Sequence, residues 1–126
     1  MLEFIVVAPI LLLLVFGIVQ FGILFNNYVA LTDAVRAGSR QAAVSRTLPD
    51  PEAVAMDRVR RAAGHLKTDT TNLQISVDPY DPKNGTDSWA QGGDVTVTAT
   101  YPYSISLLGF IVASGRLTSQ TTERVE

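Results

Sequence analysis

The chain has 126 residues, enough for one modest core and not for two independent ones. Ten Lys/Arg against twelve Asp/Glu leave a net charge of -2, so no overall positive field exists to hold nucleic acid by counterion release. The absence of cysteine excludes disulfides, thiolate catalysis and Cys-ligated zinc, and a single histidine, His65, excludes a His-rich metal site.

From Phe4 to Phe25 the chain reads FIVVAPILLLLVFGIVQFGILF, without a formal charge and with Gln20 as the only strongly polar side chain. At about 1.5 Å per residue a helix over this stretch spans roughly 33 Å, against a hydrocarbon core of about 30 Å, which predicts a membrane-crossing helix. A cleaved secretory signal would have a basic start, a shorter apolar run and a small-residue cleavage site, and none of these is present. Pro9 removes one helical hydrogen bond and reads as a kink of the kind that membrane helices tolerate. Glu3 stands at the mouth of this helix. There a carboxylate is favoured by the positive end of the helix dipole and is costly to bury unless a cation meets it.

Helical periodicity continues beyond Phe25, with Tyr28, Leu31, Val35, Gly38 and Ala42 on one side and Asp33, Arg36, Ser39 and Arg40 on others. The spacing predicts a helix to about Arg46, half in lipid (1–25) and half an amphipathic stem (26–48). Ala30, Ala34, Gly38 and Ala42 form a ridge of small residues four apart, which lets a neighbouring helix or the protein's own sheet approach closely.

Leu48-Pro49-Asp50-Pro51 ends that helix and opens an α+β region over 49–126. Asp50 is placed to cap a second helix over about 51–66, with Pro51 at its first position. Ala55, Val59, Ala62 and Leu66 give it a thin apolar stripe, and Arg58, Arg60 and Arg61 a solvated face. Alternation then predicts strands with Leu73, Ile75 and Val77 on one face, and with Val95, Val97, Ala99 and Tyr101 on one face. A third strand near 117–125 is threonine-rich and poorly apolar, and reads as a sheet edge.

Between the first two strands, 79–93 is rich in turn formers, and Asp78, Asp81, Asn84 and Asp87 are weak candidates for calcium, since hard cations want several oxygens. Their spacing is not that of an EF-hand loop, and the same residues make any tight turn. Trp89 is either a packing anchor for the loop or an exposed contact for another subunit. The run Ser104 to Ser114, SISLLGFIVAS, is too short to span a bilayer and too apolar for an ordinary loop. Leu107, Leu108, Phe110 and Ile111 are expected to be shielded, either against the stem or in the membrane interface beside it.

Glu3-Phe4, Pro9, the leucines 11–14, Phe16-Gly17, Gln20-Phe21-Gly22 and AVRAGSRQAA at 34–43 together resemble the TadE-like family of minor pilins or pseudopilins of tight-adherence type IV pilus systems. The likeness covers the first 46 residues, and the closing RLTSQTTERVE weakly resembles the terminal strand common in that group. The resemblance implies a type IV pilin-like α+β fold, a single-pass protein of the inner (cytoplasmic) membrane, and entry of the long helix into a filament after a prepilin peptidase removes a leader. It also implies that Glu3 pairs with the amino-terminal ammonium of a neighbouring subunit, and it makes Glu3, Phe4, Pro9, Gly17, Gln20 and Gly22 the subunit-assembly residues. Only Met1 and Leu2 precede Glu3 here, where such families carry a short basic leader ending in glycine, so either upstream residues or an unprocessed chain is expected. The positive-inside rule applied to Arg36, Arg40 and Arg46 alone argues for a cytoplasmic stem, whereas the resemblance implies an extracytoplasmic domain. The family orientation is the expected one.

Catalysis is not expected: there is no nucleophile elbow, no phosphate loop and no partner for the one histidine. No cofactor is implied. The sequence reads as a structural subunit stored in the membrane, whose partners are other pilin-like subunits, the pilus assembly machinery and lipid. The alternative is a permanently tethered binding module that never enters a filament.

Overall fold

The computed structural model describes residues 2–64, 66, 72–107 and 109–126. It has an α+β layout: a long helix α1 (Leu2–Val44), a short helix α2 (Pro51–Ala62) and three strands, β1 (Gln74–Tyr80), β2 (Asp94–Leu107) and β3 (Phe110–Arg124). The strands form an antiparallel sheet in the order β1-β2-β3, so the late threonine-rich strand lies at an edge. This is the pilin-like arrangement expected of a long amino-terminal helix, a second helix and a small sheet.

The helix α1 runs unbroken through Pro9 and stops two residues short of Arg46. One of its final carbonyls is met from far along the chain: the Glu126 N–H donates to the Ala43 carbonyl at 3.0 Å, and Arg46 Nε in turn donates to the Glu126 carbonyl at 3.1 Å. One orphan carbonyl of the helix end is thereby satisfied, and the residues after the last strand are tied to the stem. At α2 the Asp50 carboxylate accepts from the Ala53 N–H at 3.0 Å, the N-cap bond that its position predicts, with Pro51 in the first turn.

The core lies where stem, α2 and sheet meet. Leu31, Ala34, Val35 and Ala42 of the stem bury against Ala55 and Val59 of α2 and Val77, Val95, Val97 and Ala99 of the sheet. Burial on the stem is broader than a single stripe. Ser39, expected on an outer face, is fully buried, and its hydroxyl donates to the Arg36 carbonyl at 3.0 Å. The reason is that two separate layers, α2 and the sheet, cover neighbouring faces of one helix.

Three expected boundaries differ. The second helix ends at Ala62, not near 66, and its buried stripe is Ala55, Val59 and Ala63, with Ala62 turned to solvent. A strict step of four keeps the stripe against the stem, which the step of three to Ala62 would leave. Leu66 is buried, while His65 lies outside the described residues. The strands β2 and β3 are much longer than expected and pair through the run 104–114 as a hairpin closed by Gly109 at φ 86. A left-handed position of this kind favours glycine.

Candidate assembly site on the long helix

The two halves of α1 have opposite surroundings. Every large apolar side chain from Phe4 to Phe25 except Leu24 is exposed, from 41% at Leu13 to 73% at Phe4. None of the most apolar stretch is covered by the chain itself, so this is not the buried core helix of a soluble fold. At roughly 0.3–0.6 kcal/mol per Leu, Ile, Val or Phe, insertion of these side chains into a bilayer gains on the order of 5–10 kcal/mol before the costs of Gln20 and Pro9. The helix is long and apolar enough to cross a membrane.

The expected assembly residues fall into two groups along this half. Glu3 occupies the first turn with its carboxylate in the open, and no described side chain pairs with it. Phe4 is exposed beside it, and Pro9 joins Leu12, Leu13 and Phe16 in a shallow apolar hollow on the outer surface. A side chain added at Gly17 or Gly22 would meet nothing within 4 Å, so both are open notches on the rod. Gln20 is different: half-buried, it lines a cleft between α1 and Tyr101–Ile105 of β2. The one strongly polar side chain of the apolar run thus faces the protein's own sheet.

The small-residue ridge lies inside the fold. Ala30, Ala34, Gly38 and Ala42 are all buried, and a Cβ built on Gly38 would stand 2.2 Å from Val59 Cγ2 and 3.4 Å from the Ala55 carbonyl oxygen. The close approach for which small residues are suited is used by α2.

Asp81 is buried, and its carboxylate accepts from the Lys83 N–H at 2.9 Å and from Asn84 Nδ2 at 2.7 Å, which is turn chemistry. Asp78 lies on β1, where it accepts from the Ser76 hydroxyl, and Asp87 is exposed. Among the described residues no group of three or more His, Asp or Glu side chains is placed to hold an ion. Trp89 packs, half-buried, against the core. Arg58, Arg60 and Arg61 are exposed, with Arg61 bridged to Asp57 at 2.6 Å one turn away.

Of the two covers expected for the apolar run 104–114, the stem supplies little. Leu107 is half-buried, but Phe110 and Ile111 are 78% and 70% exposed, and Val112, which the sequence reading did not single out, is 63% exposed. Leu108 lies outside the described residues. The exposure follows from the hairpin: past Thr100 the ribbon has lost β1, and only its near end rests on α1. The signal was present in the alternation of Tyr101, Tyr103, Ile105 and Leu107 with Ser104 and Ser106, which extends β2 without interruption.

No curated protein and no solved structure gives a significant match to the chain. Residues 1–40 match the family model described as TadE-like protein, so the uncovered half of α1 and most of its stem carry the pattern of that family.

Proposed function

We propose that the protein is a pilin-like structural subunit of a tight-adherence pilus, a minor pilin or pseudopilin that is held in the inner membrane by the first half of α1 and passes into or initiates a filament through that same half. The observation that carries this reading is the division of α1: the stem is packed on two sides by its own domain, while the apolar half from Phe4 to Phe25 is left uncovered. The TadE-like match over residues 1–40 supports it independently, because it falls on the uncovered half and the stem rather than on the sheet.

In this reading the work is done by packing. A bilayer and a bundle of apolar helices are interchangeable surroundings for such a rod, since neither offers water and both leave every backbone hydrogen bond within the helix. Moving from one to the other replaces lipid contacts with contacts to like helices. Glu3 supplies what apolar packing lacks, an axial register: a carboxylate carried into an apolar bundle is tolerated only where a cation meets it, and the amino-terminal ammonium of an adjacent subunit is the proposed partner. The domain lies on the extracytoplasmic side, and a peptidase-processed amino terminus is part of the same proposal.

The test is the composition of sheared surface filaments from cells that make the protein. The unaltered chain is expected in them, and Glu3→Ala is expected to reach the membrane at normal levels yet to be depleted from filaments. Filaments that form normally and never contain the unaltered chain favour a permanent tether instead.

A further inference from the structure

The β2–β3 hairpin extends beside the half of α1 that is apolar enough to cross a membrane. At one end of the sheet Glu126 is bonded to Ala43. Further along, Leu117 shares a hollow with Phe21, Leu24, Phe25 and Tyr28, and Tyr101–Ile105 share a cleft with Gln20, Ile23, Leu24 and Asn27. The strands therefore run along α1 toward its amino terminus. From Ile105 to the turn at Leu107 and Phe110 the ribbon advances roughly 7 Å more, equal to about five helix residues. The tip thus passes the level of Phe25, where the apolar run of α1 closes, by roughly 10 Å or more.

This tip is built unlike the rest of the sheet. From Val95 to Gly115 there is no charged residue, and Phe110, Ile111 and Val112 are exposed. Past Thr100 the sheet has two strands, which are marginal in water without a surface to rest on. The register steps between Ile105 and Ser106 on β2, leaving Val112 between the pairs and turning the end of the ribbon.

We propose that the hairpin tip is a second membrane contact: Phe110, Ile111 and Val112 enter the lipid interface on the domain's side of the bilayer, next to the emerging α1. The proposal rests on α1 crossing the bilayer, not on its entry into a filament. Lipid is the occupant because the tip continues the uncovered apolar surface of α1 at a depth where a spanning α1 is surrounded by lipid. The open outer edges of the ribbon hold it to the outermost part of the leaflet, about 5–10 Å into the headgroup and acyl boundary, since unpaired N–H and C=O groups find no partner in the hydrocarbon centre but do among glycerol and headgroup oxygens. Two contacts fix the rotation of α1 as well as its depth, and they keep Gln20 behind β2 and away from acyl chains.

The chain has no cysteine, so single cysteines can carry an environment-sensitive nitrobenzoxadiazole label in the full-length protein in phosphatidylcholine/phosphatidylglycerol vesicles. Phe110→Cys and Ile111→Cys report the tip, Phe16→Cys the α1 span and Lys83→Cys the aqueous loop. The expected result is blue-shifted emission at 110 and 111, quenched by lipids doxylated near the headgroup and protected from iodide, with the reverse at 83. Tip labels that iodide quenches as it does at 83, with 16 still in lipid, overturn the hairpin contact alone. Tip labels insensitive to both quenchers, with the unlabelled Phe110→Cys variant forming disulfides between copies when oxidised by copper phenanthroline, overturn it in favour of a protein face. Iodide quenching at 16 and 110 together overturns the span and the hairpin contact with it.

Discussion

Gly38 is the residue at which sequence and packing constrain each other most tightly. In an exposed helix Gly→Ala gains about 1 kcal/mol. Here the added methyl would lie 2.2 Å from Val59 Cγ2, a β-branched side chain with little rotamer freedom in a helix. Overpacking of that kind costs about 1–3 kcal/mol, so the clash outweighs the propensity. Gly38→Ala is expected to lower the thermal midpoint of the domain in detergent micelles by several degrees, and Val59→Ala is expected to do so through lost packing. The double variant should be more stable than the sum of the two losses, because each truncation makes room for the other. Strict additivity would mean that the two helices are not in the contact described.

Among the elements, the first helix was the most legible in the sequence and the hairpin the least. The apolar run and the stem periodicity placed α1 to within two residues, because a long apolar helix owes its form to local hydrogen bonds and composition. Asp50-Pro51 fixed the start of α2 just as locally. Its end was misplaced, because Ala62 and Ala63 are alike in propensity and only contact with the stem distinguishes them. The span of β2 and β3 was read short for a related reason: Ser104 to Ser114 is apolar enough to resemble a buried loop, and strand pairing is decided by a partner distant in sequence. Of the candidate site, the uncovered run and Glu3 were legible from residue type, whereas the inward turn of Gln20 and the enclosure of Ala30, Ala34, Gly38 and Ala42 required the tertiary neighbours. The ribbon has one evident internal support, in that a Cβ at Gly115 would lie 3.0–3.2 Å from the ring and hydroxyl of Tyr103, its cross-strand partner. A pair of this kind contributes about 0.2–1 kcal/mol. Tyr103→Ala is expected to speed amide exchange over 104–114 by about two- to fivefold and to leave 94–100, held by β1, unchanged. Equal acceleration in both segments would show that the sheet opens as one unit.

On the scale of the whole molecule, the protein is a rod with a small domain wrapped around one half of it. The wrapped half needs nothing further: α2 and the sheet cover it, and the end of α1 is joined to Glu126 through the Ala43 carbonyl. The other half leaves its large apolar side chains almost wholly uncovered. Under the proposed function one surface serves twice, first against lipid and then against other helices of a filament. A photo-crosslinking amino acid placed at Phe16 reads those surroundings directly, in the membrane fraction and in sheared filaments from the same cells. Lipid adducts are expected in the membrane, and adducts to the apolar helices of other subunits in the filaments. Crosslinks confined to the chain's own domain, in protein that remains dispersed without detergent, would contradict the proposed function.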